Sequence, residues 1–317
     1  MRRPPANLAA SVHDRLLALS RQRREGFQLL QTRYAQERLL YRLTRSRHSR
    51  QFVLKGALLY TIWNDQPYRP TRDLDLLGYG DGSAEGLRAA FQEICSVSVE
   101  PDGLEFDPDH IEVSEIRENQ EYGGKRIRLM ARLGSSHIVL RVDIGFGDAV
   151  TPGVQNQLFP VLLGEMPRPY VQTYPRETVV SEKLQTIVVL GMMNSQMKDL
   201  FDLDVMATRF SFDGPILVQA IRATFNRRKT LIPREPPLAL LDAFAEDAAK
   251  GKQWQAFLHR GDMEAVALPV TMKRLQAFAL PPLMAAGQDE GFDRIWPKGG
   301  PWLEGITDLQ RTDSSSP

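Results

Sequence analysis

Two aspartates, Asp73 and Asp75, stand two residues apart in the segment RPTRDLDLLG at residues 69–78, directly after Arg69 and Arg72. On a strand, side chains alternate faces, so both acids share one face while Leu74 and Leu76 turn to the core. Two carboxylates so close repel each other, and placing them against apolar chain is costly without a counter-charge. A divalent cation removes that cost, and Mg²⁺ commonly takes one or two carboxylates together with substrate phosphates. A cap or an ion pair with Arg69 or Arg72 is the structural alternative, and an isolated Asp-x-Asp does not choose between them. Asp143, in LRVDIGFGD at residues 140–148, is a lone acid on the polar side of a later strand. It could supply a third carboxylate for in-line phosphoryl transfer over two metal ions; an ion pair with Arg141 is the competing reading. Lys55-Gly56-Ala57, ahead of a short helix, offers a cation and backbone N–H groups to a triphosphate.

Two later positions are also out of place for structure alone. Val180, Lys183, Leu184 and Ile187 follow helical spacing, so Lys183 falls within an apolar stripe. Snorkelling to the edge would explain it, and so would a lysine aimed at phosphate. Asp199 follows in MKDLFDL at residues 197–203. One continuous helix would put Lys183 and Asp199 about 160° apart, whereas a turn at Gly191–Ser195 would fold the second helix back and let both reach one place. Asp199 could equally pair with a neighbouring lysine or cap its helix.

The elements that must carry these residues follow from periodicity. Leu16, Leu19, Phe27, Leu30, Tyr34 and Tyr41 recur at helical spacing with arginine on the other faces, which predicts two helices broken near Gly26. Phe52–Leu54 leads into a turn at Gly56, Leu58–Trp63 predicts a short helix, the two prolines within Asp65–Pro70 a loop, Asp73–Leu77 a strand, and residues 84–95 a helix. From Ile111 to Phe146 the period changes to two, with breaks at Asn119–Gly124 and Gly134–Ser136, which predicts an antiparallel meander with one buried face. Residues 151–169, rich in proline and glycine, read as loop, and the pattern after Pro175 is helical.

Charge is unevenly spread. Residues 1–50 hold twelve arginines, no lysine and three acids (Asp14, Glu25, Glu37), a balance of +9 in a chain whose net charge is +1. The remainder is therefore near −8, and a basic segment on an acidic protein suits polyanion contact through counterion release; a solvated arginine-rich helix is the plain alternative. Cys95 is the only cysteine, which excludes an internal disulfide and a cysteine-rich zinc site and suits a reducing compartment. No apolar run reaches the roughly 20 residues that cross a bilayer, and no long apolar segment follows the basic start, so a secretory signal is not expected.

In order along the chain, RYAQERLLYRL at 33–43, FVLKGALL at 52–59, Trp63, RPTRDLDLLG, LRVDIGFGD, and SEKL at 181–184 followed by MKDLFDL resemble the AbiEii/AbiGii-type nucleotidyltransferase family. These are the toxins of type IV-like toxin–antitoxin systems and are related to the MenT enzymes. The resemblance implies an α+β, polymerase-β-like nucleotidyltransferase fold, a mixed sheet flanked by helices, with a helical C-terminal domain. The expected division is a core of amino-terminal helices and nucleotidyltransferase sheet over residues 1–172 and helices over 173–303 that complete the active-site cleft, and the Asp-Ser-Ser-Ser-Pro ending reads as a disordered tail over 304–317. The resemblance implies that Asp73 and Asp75 bind metal, that Lys183 contacts nucleotide and that Asp199 is needed for activity, so these four are the expected catalytic residues. The residues themselves add Lys55, Gly56 and Arg72 as expected nucleotide contacts and Asp143 beside Asp73 and Asp75 as an expected ligand of Mg²⁺ or Mn²⁺. The expected reaction moves NMP from an NTP substrate to RNA, the tRNA 3′ end, in the cytoplasm, blocking translation and growth under restraint by an AbiEi-like antitoxin, with no membrane partner. A small-molecule or protein acceptor, or a non-catalytic RNA- or partner-binding module, are the alternatives.

Overall fold

The computed structural model describes residues 7–64, 69, 71–116, 123–264 and 266–305. Most of the loop expected over Asp65–Pro70, the turn expected from Asn119, and the expected tail from residue 306 lie outside the described residues. The chain divides into two compact units. One holds residues up to Asp148 together with Val154–Tyr174; the other holds Ala149–Gly153 together with everything from Pro175 onward.

In the first unit, α1 (Leu8–Arg23) starts where the Asn7 side chain accepts from the Ala10 N–H and stops at Arg24, whose backbone is left-handed. The break foreseen near Gly26 follows, and α2 (Phe27–Arg45) begins. Next come β1 (Phe52–Lys55), a 3₁₀ turn at Gly56–Leu58, α3 (Leu59–Asn64), β2 (Asp73–Gly78) and α4 (Ala84–Cys95). The strands β3 (Leu104–Phe106), β4 (Glu112–Ile116), β5 (Gly124–Leu133), β6 (Ser136–Phe146), β7 (Gln155–Leu158) and β8 (Tyr170–Thr173) complete it.

Together these strands make one eight-stranded mixed sheet in the order β3-β5-β6-β2-β1-β8-β7, with β4 sharing the outer edge of β5. The predicted meander is β4-β5-β6, antiparallel throughout. Its alternation is complete: Ile127, Leu129, Ala131 and Leu133 of β5 and Ile138, Leu140, Val142 and Ile144 of β6 are buried. On this side α2 packs against β6 and α4. The opposite face exposes Arg128, Arg132, His137, Val139 and Arg141. Residues 151–169 are not all loop, since they contain β7. Its sequence, QNQL, is polar and has no alternation to betray it; it is an edge strand held only by its ladder to β8.

The arginines of α2 differ most from expectation. Arg33, Arg38 and Arg42 do not line a solvated face but are buried. Arg38 pairs with Glu37 at 2.9 Å and donates to the Pro167 carbonyl at 2.8 Å. Arg42 grips Asp102 with two hydrogen bonds, of 2.6 and 3.2 Å, and Arg33 meets Glu25 at 2.6 Å. An amphipathic count treats every arginine as outward-facing, but a guanidinium with carboxylate and carbonyl partners can be enclosed. Cys95 is buried, and burial pushes its thiol up to about 12, so it is chemically quiet.

The second unit is mainly helical: α5 (Arg176–Leu190), α6 (Met197–Arg209), then β9 (Phe212–Asp213), α7 (Gly214–Arg227), α8 (Asp242–Glu246), α9 (Ala248–Arg260) and α10 (Leu268–Gln288). The short strands β10 (Arg294–Trp296) and β11 (Leu303–Glu304) join β9 in a small sheet, so Glu304, expected in the tail, is paired. Helices α5, α6, α7 and α10 pack on one another. The segment Ala149–Gly153 is tied in through Thr151, which exchanges two hydrogen bonds of 2.9 Å with the Thr178 hydroxyl on α5. Among the described residues, no helix is long and apolar enough to cross a membrane.

Candidate active site

Strand register assembles the first group of candidates. β2 lies between β1, antiparallel, and β6, parallel, with Asp75 opposite both Lys55 and Asp143, and Asp73 opposite Arg141. Registered residues project to one side of a sheet, so Lys55, Asp73, Asp75 and Asp143 share the face opposite the buried Leu74 and Leu76. Leu77 breaks the simple pattern: it falls on the acids' side of the alternation, yet it too is buried.

Gly56 closes this group. Its φ is +71°, a conformation natural to glycine, and a Cβ there would overlap the Asp75 carboxylate, lying 2.7 Å from its Cγ. The backbone at the start of the 3₁₀ turn therefore lies directly against Asp75. Asp73 presents a different feature: its Oδ1 is buried and has no hydrogen-bond partner among the described residues. An orphaned carboxylate oxygen beside a second carboxylate suits a hard cation that would replace the missing donor.

Asp143 sits beside Asp75 but is already engaged. Arg126 Nε and Nη2 on β5 donate to its two oxygens, each at 2.7 Å. The competing reading from sequence named Arg141, two residues along the same strand. The nearer neighbour is the cross-strand one, because opposed residues lie closer than residues i and i+2. With Asp143 so held, no three Asp, Glu, His or Cys side chains among the described residues form a metal-binding group. Asp143, expected as the third acid beside Asp73 and Asp75, is here paired with Arg126. Arg72, expected at the nucleotide, is exposed just ahead of β2, and its carbonyl accepts from Gln36 at 2.8 Å.

One residue of this face was missed. Asp148, at the end of the string that holds Asp143, accepts from Lys55 Nζ at 2.6 Å and from the Tyr174 hydroxyl at 3.2 Å. Four residues separate it from Asp143, and the turn after β6, which strand periodicity does not describe, brings it back.

In the second unit, a turn at Gly191, φ 51° and ψ −136°, ends α5, and α6 folds back as the spacing allowed. Lys183 Nζ then lies 2.8 Å from Asp199 and 2.7 Å from Asp202. The lysine side chain is 15% exposed and the two carboxylates 9% and 2%, so Lys183 does not snorkel; it is clamped. Asp202 is the second missed residue, and the signal was present: it lies three residues after Asp199 on α6, hence on the same helix face.

A sequence model of the family described as nucleotidyl transferase AbiEii toxin, type IV toxin–antitoxin system, matches residues 38–279. The chain belongs to the AbiEii nucleotidyltransferase toxin family. The match reaches well past the last motif recognised in the sequence, into α10, and so takes in most of the helical unit. This AbiEii protein is a nucleotidyltransferase, with the mixed sheet and flanking helices of that fold. Among solved structures it is similar to JHP933 from Helicobacter pylori, at 15% identity and a TM-score of 0.47, over 83% of this chain and 95% of that one. It is also similar to a second H. pylori protein, described provisionally as a nucleotidyltransferase, at 15% identity and a TM-score of 0.45, over 84% and 100% of the two chains. A search of curated proteins returned no match.

Proposed function

We propose that this AbiEii enzyme transfers a nucleoside monophosphate from an NTP to an RNA acceptor, the tRNA 3′ end, in a Mg²⁺-dependent reaction, and that an AbiEi-like antitoxin restrains it. The observation that carries the reading is the acid pair Asp73 and Asp75 on one sheet face, with Gly56 and Lys55 beside it. In the reaction an acceptor hydroxyl oxygen forms a bond to the α-phosphorus and its proton passes to solvent, while the α–β anhydride bond breaks and pyrophosphate leaves with the bonding electron pair.

Asp73 and Asp75 would hold the cation, which when bound would offset the negative charge of the triphosphate. Gly56 keeps the backbone low over Asp75, leaving room that any side chain would fill. Lys55 supplies positive charge to the triphosphate on the same face. Asp143, beside Asp75, has its charge balanced by Arg126, and we assign it to orientation of the site rather than to the metal. Arg72, exposed ahead of β2, remains a candidate for the triphosphate. Lys183 and Asp199 are assigned to nucleotide contact and turnover.

Incubation of the pure protein with total RNA and each α-labelled NTP in turn tests the reading. Label should enter RNA of tRNA size, and adding EDTA should stop it. A protein or small-molecule acceptor is the second reading, and one observation favours it: Arg33, Arg38 and Arg42 are buried, so three of the twelve amino-terminal arginines that pointed to RNA do not face solvent. Label found only in protein or in small molecules would select that reading; no label in any fraction would overturn both.

A further inference from the structure

The acid-bearing face contains one cation–carboxylate pair with an unusually complete anchor. Lys55 and Asp148 meet at 2.6 Å with side chains 17% and 18% exposed, enclosed but still reachable. The ammonium also lies 5.1 Å from the centre of the Tyr174 ring. The same tyrosine donates its hydroxyl to the carboxylate oxygen that Lys55 uses. Tyr174 is itself fully buried, and its backbone N–H donates to the Leu54 carbonyl at 3.0 Å, which locks it to β1 one residue before Lys55.

The direction of Lys55 follows. A Cβ placed on Gly145 would lie 4.0 Å from Lys55 Nζ and 3.6 Å from Asp148 Oδ2. Gly145 is on β6, opposite Leu77 of β2. The lysine therefore reaches from β1 across β2 to β6, over the face that carries Asp75. Glycine at 145 leaves the space in which the pair sits; a side chain longer than alanine's would run into it.

We propose that Asp148 is a positioning residue, fixed by the Tyr174 hydroxyl, that holds the Lys55 ammonium over the acid-bearing face to receive the nucleotide triphosphate. The inference rests on the nucleotidyl-transfer reading of that face. Asp148 does not itself bind the nucleotide, because a carboxylate repels phosphate; its effect passes through Lys55. A flexible lysine in solution samples many rotamers, whereas one tied to a carboxylate and a ring is already aimed before the nucleotide arrives.

A double-mutant cycle tests this. Dissociation constants for α-labelled NTP are measured by equilibrium dialysis without acceptor, and KM and kcat by label transfer, for wild type, Lys55→Met, Asp148→Asn, the double variant and Tyr174→Phe. Lys55→Met and Asp148→Asn should each weaken NTP binding and raise KM by roughly tenfold or more, with a smaller effect on kcat. The double variant should bind no more weakly than Lys55→Met alone, because the carboxylate has nothing left to position. Tyr174→Phe should move KM the same way by less. Losses that multiply in the double variant, or Asp148→Asn binding as wild type does, overturn the positioning role while leaving the transferase reading intact. If Asp148→Asn does not fold, Tyr174→Phe combined with Lys55→Met decides by the same rule. A folded wild type that neither binds nor transfers any NTP overturns the transferase reading, and this inference with it.

Discussion

Lys183 is clamped between two carboxylates that are themselves almost out of water, and that fixes what its removal would do. Lys183→Met leaves Asp199 and Asp202 facing each other with their shared counter-charge gone, an arrangement that costs about 3 kcal/mol or more. A large drop in melting temperature is therefore expected, together with loss of transfer, so that variant alone does not isolate catalysis. Lys183→Arg keeps the charge: retained stability with lost activity in that variant would mark a specific contact at the nucleotide. Asp73→Asn and Asp75→Asn should both abolish label transfer, and Asp73→Asn should melt no lower than wild type, since it relieves carboxylate repulsion at an oxygen that has no hydrogen-bond partner among the described residues. Full activity in both would remove the acid pair from the mechanism. Glu37 gives the pH dependence. Burial, opposed first by Arg38, pushes its carboxyl up to about 7 from an ordinary 4.5. The folded state thus holds this proton where the unfolded chain has lost it, so stability present below pH 4.5 is lost as pH rises to 7. The unfolding free energy from urea titrations should fall by up to roughly 3 kcal/mol from pH 5 to pH 8 in wild type, and Glu37→Gln should flatten that difference. At this scale the sequence shows which acids share a face, because alternation is strict. It does not show which side chain each will bond, because Arg126, Asp148 and Asp202 arrive by register, turn and helix return.

The join between β1 and β2 is the element on which the site depends most. A strand that ends at Lys55, turns through Gly56 with positive φ and starts a short helix puts backbone, not side chain, against Asp75. Gly56→Ala should combine left-handed strain of about 1–2 kcal/mol with displacement of the Asp75 carboxylate. The expected result is a lowered melting temperature and a kcat reduced by far more than the stability loss would explain; an unchanged kcat would show that Asp75 tolerates movement. Elements with clean periodicity were legible, including β2, α4, the β4-β5-β6 meander and the α5–α6 return. Two kinds were not. β7 is polar and short, so its strand character comes wholly from its ladder with β8. α2 reads as a solvated basic helix but is a central one, because its guanidiniums meet Glu25 and Glu37 close by and Asp102 and the Pro167 carbonyl far along the chain.

For the whole molecule, the surface charge differs from the sequence charge. Of the arginines in the first helices, Arg15, Arg33, Arg38, Arg42 and Arg47 are paired with Glu165, Glu25, Glu37, Asp102 and Glu93. Arg21, Arg24, Arg45 and Arg50 remain exposed. If RNA is the acceptor and uses this side, replacing those four by Gln should weaken RNA binding. Each lost phosphate contact should reduce the log–log salt slope by somewhat under about 1, without changing NTP binding. An unmoved slope would place the RNA elsewhere. The route of the chain carries a separate consequence. Residues Ala149–Gly153 belong to the helical unit while the residues on both sides of them belong to the sheet unit, so the polypeptide passes from one unit to the other three times. A gene divided at codon 174, the obvious place to make a toxin that reassembles only when two halves meet, would strand Thr151 on the wrong fragment. Its two hydrogen bonds to Thr178 would then have to be rebuilt in trans. A divided toxin of this kind should be cut elsewhere, or carry residues 149–153 twice.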